Sequence, residues 1–220
     1  PHCYLSRSKF TISSKTFHMA MSSKLILASL FFFLHQAVAS SFSPTNDSMQ
    51  LTYIKIKCGI TLYPSVCYES LTRYAGNIQA DPGRLATAAV ALSLSRNTRL
   101  SSFLYNVSRD GKLGNDSLAT SALQDCITNV KDATEEIKSS LKEMKEAASS
   151  RVLDEFRFQM SNVQTWMSSA LTDQETCTDG FEGVSGWAKK GEIFDNVNKV
   201  KKYTSNALAL VNSYSHGKAA

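Results

Sequence analysis

The chain has 220 residues, enough for one ordinary domain plus a leader, with 43% hydrophobic residues and a formal charge of +5. Arg7, Lys9, Lys15 and Lys24 fall within the first 39 residues, where there is no acid, so the remainder carries only +1. A nearly neutral domain has no broad field to attract nucleic acid or anionic polysaccharide, and nucleic-acid binding is excluded as a function class.

Met19 and Met21 precede Lys24, an apolar run from Leu25 to Leu34 and the small residues Ala37-Val38-Ala39. A positive flank, a short apolar core and an Ala-x-Ala site describe a secretory signal peptide, cleaved before Ser40. The run is shorter than the roughly 20 residues that span a bilayer, so no membrane anchor is expected after cleavage. Residues 1–39 are therefore read as leader and signal, and 40–48 as a flexible arm. Residues 49–213 form a helical domain and 214–220 a disordered tail.

Met49, Tyr53 and Ile56 mark a short helix that ends at Cys58. A second helical piece runs from about Ser65 to Tyr74 and stops at Ala75-Gly76-Asn77. Asp81-Pro82 is a cap followed by proline at the first helical position. It opens a long helix with Leu85, Ala89, Leu92, Phe103 and Val107 on one face, reaching Arg109. After the turn at Asp110–Gly114, a helix starting near Asn115 or Asp116 carries Leu123, Ile127, Val130, Ile137, Leu141 and Met144 at three- and four-residue steps. A third helix spans Val152 to Leu171, and Thr172-Asp173-Gln174 starts a further short one holding Cys177, Phe181 and Val184. Gly183, Gly186 and Gly191 loosen the chain before the last helix, with Ile193, Val197, Val200, Thr204, Ala207 and Val211 on one stripe. Four long helices with short links predict an all-α fold: an antiparallel four-helix bundle with an N-terminal helical hairpin.

Cleavage removes Cys3 of the five cysteines and leaves Cys58, Cys67, Cys126 and Cys177, an even number in a secreted chain, so two disulfides are expected. Three pairings are possible. The nine-residue spacing of Cys58 and Cys67 around Pro64 suits closure of the hairpin, which leaves Cys126 with Cys177. A metal site would need ligands that are missing, since there is no CxxC pair and no nearby histidine.

Catalytic machinery is equally absent from the pattern. Of the four histidines, His2, His18 and His35 go with the leader and His216 lies in the tail. No serine sits in Gly-x-Ser-x-Gly, and adjacent carboxylates such as Asp154/Glu155 point along different helix faces. Trp166 and Trp187 fall among apolar residues and are expected in the core. No cofactor is implied. Asn46, Asn106 and Asn115 each open an Asn-x-Ser sequon, the glycosylation candidates.

The segment Cys58-Gly-Ile-Thr-Leu-Tyr-Pro-Ser-Val-Cys67 resembles the N-terminal hairpin of the plant invertase and pectin methylesterase inhibitor family. Ala122-Leu123-Gln124-Asp125-Cys126 in its amphipathic helix is similar too. So are the block Val163–Cys177 and the closing-helix segment Ser205-Asn206-Ala207-Leu208-Ala209-Leu210. Together they cover roughly residues 50–212. The resemblance implies a four-helix bundle with disulfides Cys58–Cys67 and Cys126–Cys177. It also implies a secreted plant cell-wall (apoplast) protein, monomeric when free, that forms a one-to-one complex over the substrate cleft of pectin methylesterase. Invertase inhibitors of this fold use Pro-Lys-Phe, and none of Pro1, Pro44, Pro64 and Pro82 precedes Lys-Phe. Pectin methylesterase is therefore the expected partner, with acid invertase as the alternative. A helical carrier of lipids or small molecules is a third reading, opposed by the well-filled apolar stripes. On the third helix, Val163, Met167, Ala170 and Leu171 turn to the core, which directs Gln164, Thr165, Ser168 and Thr172 outward. With Gln174 and Glu175, held by the adjoining Cys177, they form the expected partner-binding set.

Overall fold

A computed structural model describes residues 46–110 and 116–219. Their elements are α1 (Asn46–Cys58), α2 (Pro64–Leu71), a 3-10 turn (Thr72–Tyr74), α3 (Ala75–Ile78), α4 (Pro82–Arg109), α5 (Ser117–Ser149), α6 (Leu153–Asp179) and α7 (Lys190–Ala219). The regular elements of the described residues are all helices, without strands. The four long helices pack as a ring in which α4 touches α5 and α7, and α6 touches the same two from the opposite corner. The segment read from the sequence as a signal peptide lies outside the described residues, as does Asn115.

Local chemistry sets the boundaries. Asp81 accepts a hydrogen bond from the Arg84 amide at 2.7 Å and precedes Pro82, so α4 starts as expected. Asp116 accepts from the Ala119 amide at 3.0 Å and caps α5. Gln79 and Ala80 take φ of 53° and 55°, a left-handed pair that turns the chain from α3 into α4. Each costs a non-glycine residue about 1–2 kcal/mol, which the surrounding packing must offset.

Four boundaries differ from those read in the sequence. Helix α1 starts at Asn46, inside the segment expected to be an arm. Ala75-Gly76-Asn77 continues as a helical turn, because Ile78 is buried and holds it to the core. Helix α6 passes through Thr172 without a break: Ala170, Gln174, Cys177 and Thr178 continue the buried face, so packing overrides the local polarity. Helix α7 runs on to Ala219, where a disordered tail was expected. Tyr214 holds it there, edge-on to Phe156 at a centroid distance of 5.4 Å. A Cβ on Gly83 would lie 2.9 Å from Cζ of that tyrosine, so glycine is what allows the ring in.

Two apolar clusters form the core. One joins α1–α4 to Met144, Phe156, Met160, Met167 and Val211; the other surrounds Leu104, Leu123, Val130, Phe181 and Val197. Both tryptophans are half-buried rather than interior; Trp187 stacks on Phe181 at 5.8 Å. Between the clusters lies a polar layer. Gln174 donates to Asn97 Oδ1 at 2.9 Å and to Thr204 Oγ1 at 3.0 Å. Asn97 donates to the Val130 carbonyl and to Thr134 Oγ1, each at 2.9 Å, while Ser93 and Thr204 share a hydrogen bond of 2.9 Å. All four long helices contribute. Such a network favours one register, since any slip leaves buried donors unmet.

Candidate functional site: the outer face of α6

Disulfides join Cys58 to Cys67 and Cys126 to Cys177, with Cα separations of 5.6 Å and 4.0 Å. The first closes the hairpin. The hairpin is also sewn to α7, where the buried Asn206 side chain accepts from the Tyr63 amide at 3.1 Å and donates to the Tyr63 carbonyl at 2.9 Å. The second disulfide ties the C-terminal part of α6 to α5, leaving that end of α6 little freedom to shift.

On this fixed helix Ser161, Thr165, Ser168, Thr172, Glu175 and Thr176 are all exposed, a stripe at three- and four-residue steps. The threonines are held by their own helix. Thr165 donates to the Ser161 carbonyl at 2.9 Å, Thr172 to that of Ser168 at 3.2 Å and Thr176 to that of Thr172 at 3.0 Å. Their rotamers are thereby set before any partner arrives, which lowers the entropy cost of binding. Glu175 pairs with Lys201 of α7 at 3.3 Å and still stands half in solvent.

Two members of the sequence-derived set fare differently. Gln164 is half-buried and donates to Asn212 Oδ1 at 2.9 Å, so it links α6 to α7 at the edge of the stripe. Gln174 is wholly inaccessible and is corrected to a core residue. It sits seven residues after Met167 and three before Cys177, on the inward face, and the polar layer supplies the partners that make its burial tolerable. Leu171, expected inside, is half-exposed. Of the sequons, Asn106 lies exposed on α4, and Asn46 opens α1.

Beside the stripe, Glu136 of α5 and Asp173 of α6 face one another with Ser169 and Asp132 close by. Partial burial raises the Glu136 carboxyl above its ordinary range; a Ser169 hydrogen bond draws it back, and the Asp173 and Asp132 charges push it up again. Burial also raises Asp173, partly countered by a hydrogen bond from Glu136. The two carboxyls lie close enough to hydrogen-bond once one of them is protonated. One Glu136 oxygen, Oε2, is buried without a partner.

No group of His, Cys, Asp and Glu among the described residues could hold a metal ion, and no described helix is long and apolar enough to cross a membrane. What the α6 face offers is a polar strip on a helix tied down by a disulfide.

The family model "Plant invertase/pectin methylesterase inhibitor" matches residues 52–210. The chain is 40% identical to a 21 kDa protein of Daucus carota, over 80% of this chain and 88% of the relative. It is 36% identical to Pectinesterase inhibitor 11 of Arabidopsis thaliana, over 87% of this chain and 97% of that one. Among solved structures, a mutant form of an Arabidopsis pectin methylesterase inhibitor superposes with a TM-score of 0.55 at 20% identity, covering 70% of this chain and 92% of its own, a likeness of fold.

Proposed function

Because the chain belongs to the plant invertase/pectin methylesterase inhibitor family, whose members act as inhibitors and not as enzymes, we propose that it inhibits pectin methylesterase. In this reading it is a secreted cell-wall protein, and one copy covers the substrate cleft of one enzyme molecule. The outer face of α6 makes the contact through Thr165, Ser168, Thr172 and Glu175, with Gln164 at its margin. The observation that carries the reading is the family match across 52–210, which includes both disulfides and the whole of α6. The continuous buried clusters favour this over a lipid carrier, which would need an open interior. No Pro-Lys-Phe is present to enter an invertase site, so the esterase is the target of choice.

The test is a titration of the purified, oxidised protein against a plant pectin methylesterase and, separately, an acid invertase. Esterase activity should fall to a stoichiometric endpoint of one inhibitor per enzyme while invertase activity stays constant. Inhibition of invertase alone, or no inhibition of the esterase, overturns the reading.

A further inference from the structure

The cations of the bundle are not spread evenly. Helix α4 carries Arg84, Arg96, Arg99 and Arg109 and no acid, whereas α6 carries Asp154, Glu155, Asp173, Glu175 and Asp179 against Arg157 alone. Where α4 meets α7 a groove of about 330 Å³ opens, and Arg96, Arg99, Lys199 and Lys202 line it, with no acidic residue in its own lining. None of these four is paired with a carboxylate among the described residues. Leu100 and Val200 form its buried floor, with Phe103 and Tyr203 as half-buried rings on its lining. The groove continues into a hollow lined by Arg73, with Glu69 the acid there.

The cationic side chains are in part held in place. The Arg96 guanidinium lies over the Tyr203 ring at 4.9 Å, and Lys202 over the Tyr63 ring at 5.5 Å. The Nε–H of Arg96 is buried with no acceptor. A buried donor lacking a partner is uncommon in native folds and calls for an explanation. From Arg96 to Phe103 the helix rises by about 10 Å, enough for a short oligomer to lie along the seam.

We propose that the α4/α7 groove binds an anionic oligosaccharide with a carboxylate on successive sugars, a polyuronate. Guanidinium groups pair with carboxylates in a planar, two-pronged geometry, and the lysines add charge along the chain. The rings of Phe103 and Tyr203 offer apolar surface to the faces of the sugars, as an acidic protein loop would not require. A polyuronate is what demethylation of pectin yields, so the identity of this polymer rests on the proposed target. The site would distinguish demethylated from methylated polymer, because an ester offers no charge to the arginines.

The experiment measures binding of de-esterified oligogalacturonate, its methyl-esterified counterpart of equal length, and inorganic phosphate by calorimetry with the full oxidised chain. The same measurements follow on R99Q/K199Q and, separately, on R96Q, each checked for its melting temperature. The de-esterified oligomer should bind at least about tenfold more tightly than the ester, with affinity falling as salt is raised. R99Q/K199Q should weaken it by about tenfold at an unchanged fold. Equal binding of both oligomers, affinity unaffected by the substitutions, or phosphate binding as tightly as the oligomer would each overturn the proposal. Esterase inhibition, measured on the same variants, separates the two readings. R99Q/K199Q should inhibit as the parent does; loss of inhibition without oligomer binding would make the groove an enzyme contact instead. Should the parent chain fail to inhibit yet bind the de-esterified oligomer, the groove stands and the target assignment falls.

Discussion

Removing Asn97 should destabilise the protein more than any exposed substitution. Its side chain makes three hydrogen bonds in the buried layer, to the Val130 carbonyl, Thr134 Oγ1 and Gln174 Nε2. At about 1 kcal/mol net for each, and with a small cavity left behind, Asn97→Ala should cost about 3 kcal/mol. For a domain of this size that is a fall of about 6–12 °C in melting temperature. Gln174→Ala removes two hydrogen bonds but also its own unpartnered Oε1, so a cost of about 2 kcal/mol is expected. The two residues share one bond, and the double variant should therefore lose about 1 kcal/mol less than the sum. Urea unfolding of the disulfide-intact variants, followed by circular dichroism, gives all three values. A cost below about 1 kcal/mol for Asn97→Ala, or strict additivity, would show that the layer does not fix the register as argued.

Replacing Thr165, Ser168, Thr172 and Glu175 by Ala together should weaken esterase inhibition by at least about tenfold while leaving the fold intact; unchanged inhibition moves the contact to another face. Glu136 and Asp173 bind protons more readily in the folded than in the unfolded chain, so their contribution to stability declines as pH rises from about 4 through their raised values. Glu136→Gln should flatten that decline in thermal melts, and coincident slopes would refute the assignment. Gly83→Ala gains helix propensity but drives a Cβ into Tyr214, so a net loss of about 1 kcal/mol or more is expected; a rise in melting temperature would mean the ring yields freely. Unfolding of paired Cys→Ser variants should show a cost of about 4 kcal/mol for Cys126/Cys177 and about 2.7 kcal/mol for Cys58/Cys67, and the reverse order would contradict the loop-length account.

How far the sequence could be read depended on the range of the interaction. The periodic stripe from Leu123 to Met144 and the Asp81-Pro82 cap are local signals, and α5 and α4 follow them closely. The break expected at Thr172 had the opposite cause. A polar run from Thr172 to Thr176 looks solvated in isolation, and only Asn97 and Thr204, supplied by two other helices, make Gln174 an interior residue. An Asn set between Leu92 and Leu100 on an apolar stripe was the one available hint. Tyr214 is similar: its anchor is a glycine on α4, far away in sequence. The basic groove left no linear signature at all, because its cations alternate between two antiparallel helices and the chain is close to neutral once residues 1–39 are set aside.

The placement of these surfaces bears on whether they act together. Helices α4 and α6 occupy opposite corners of the ring, each bordered by α5 and α7. The outer stripe of α6 therefore shares no residue with the α4/α7 groove, and the nearest link between them runs through α7. There Lys201 turns toward Glu175 at 3.3 Å while Lys199 and Lys202 line the groove. Adjacent lysines on one helix point to different faces, so α7 can present charge to both surfaces at once. An enzyme docked on α6 would then leave the groove open, and polymer bound in the groove would leave the α6 threonines untouched. Binding of the two should be close to independent: saturating de-esterified oligogalacturonate should change the inhibitor's affinity for esterase by less than about threefold, once the oligomer's own occupation of the enzyme is subtracted. Strong mutual exclusion would place the enzyme contact across the seam of α4 and α7, and would contradict the division of surfaces drawn from the ring.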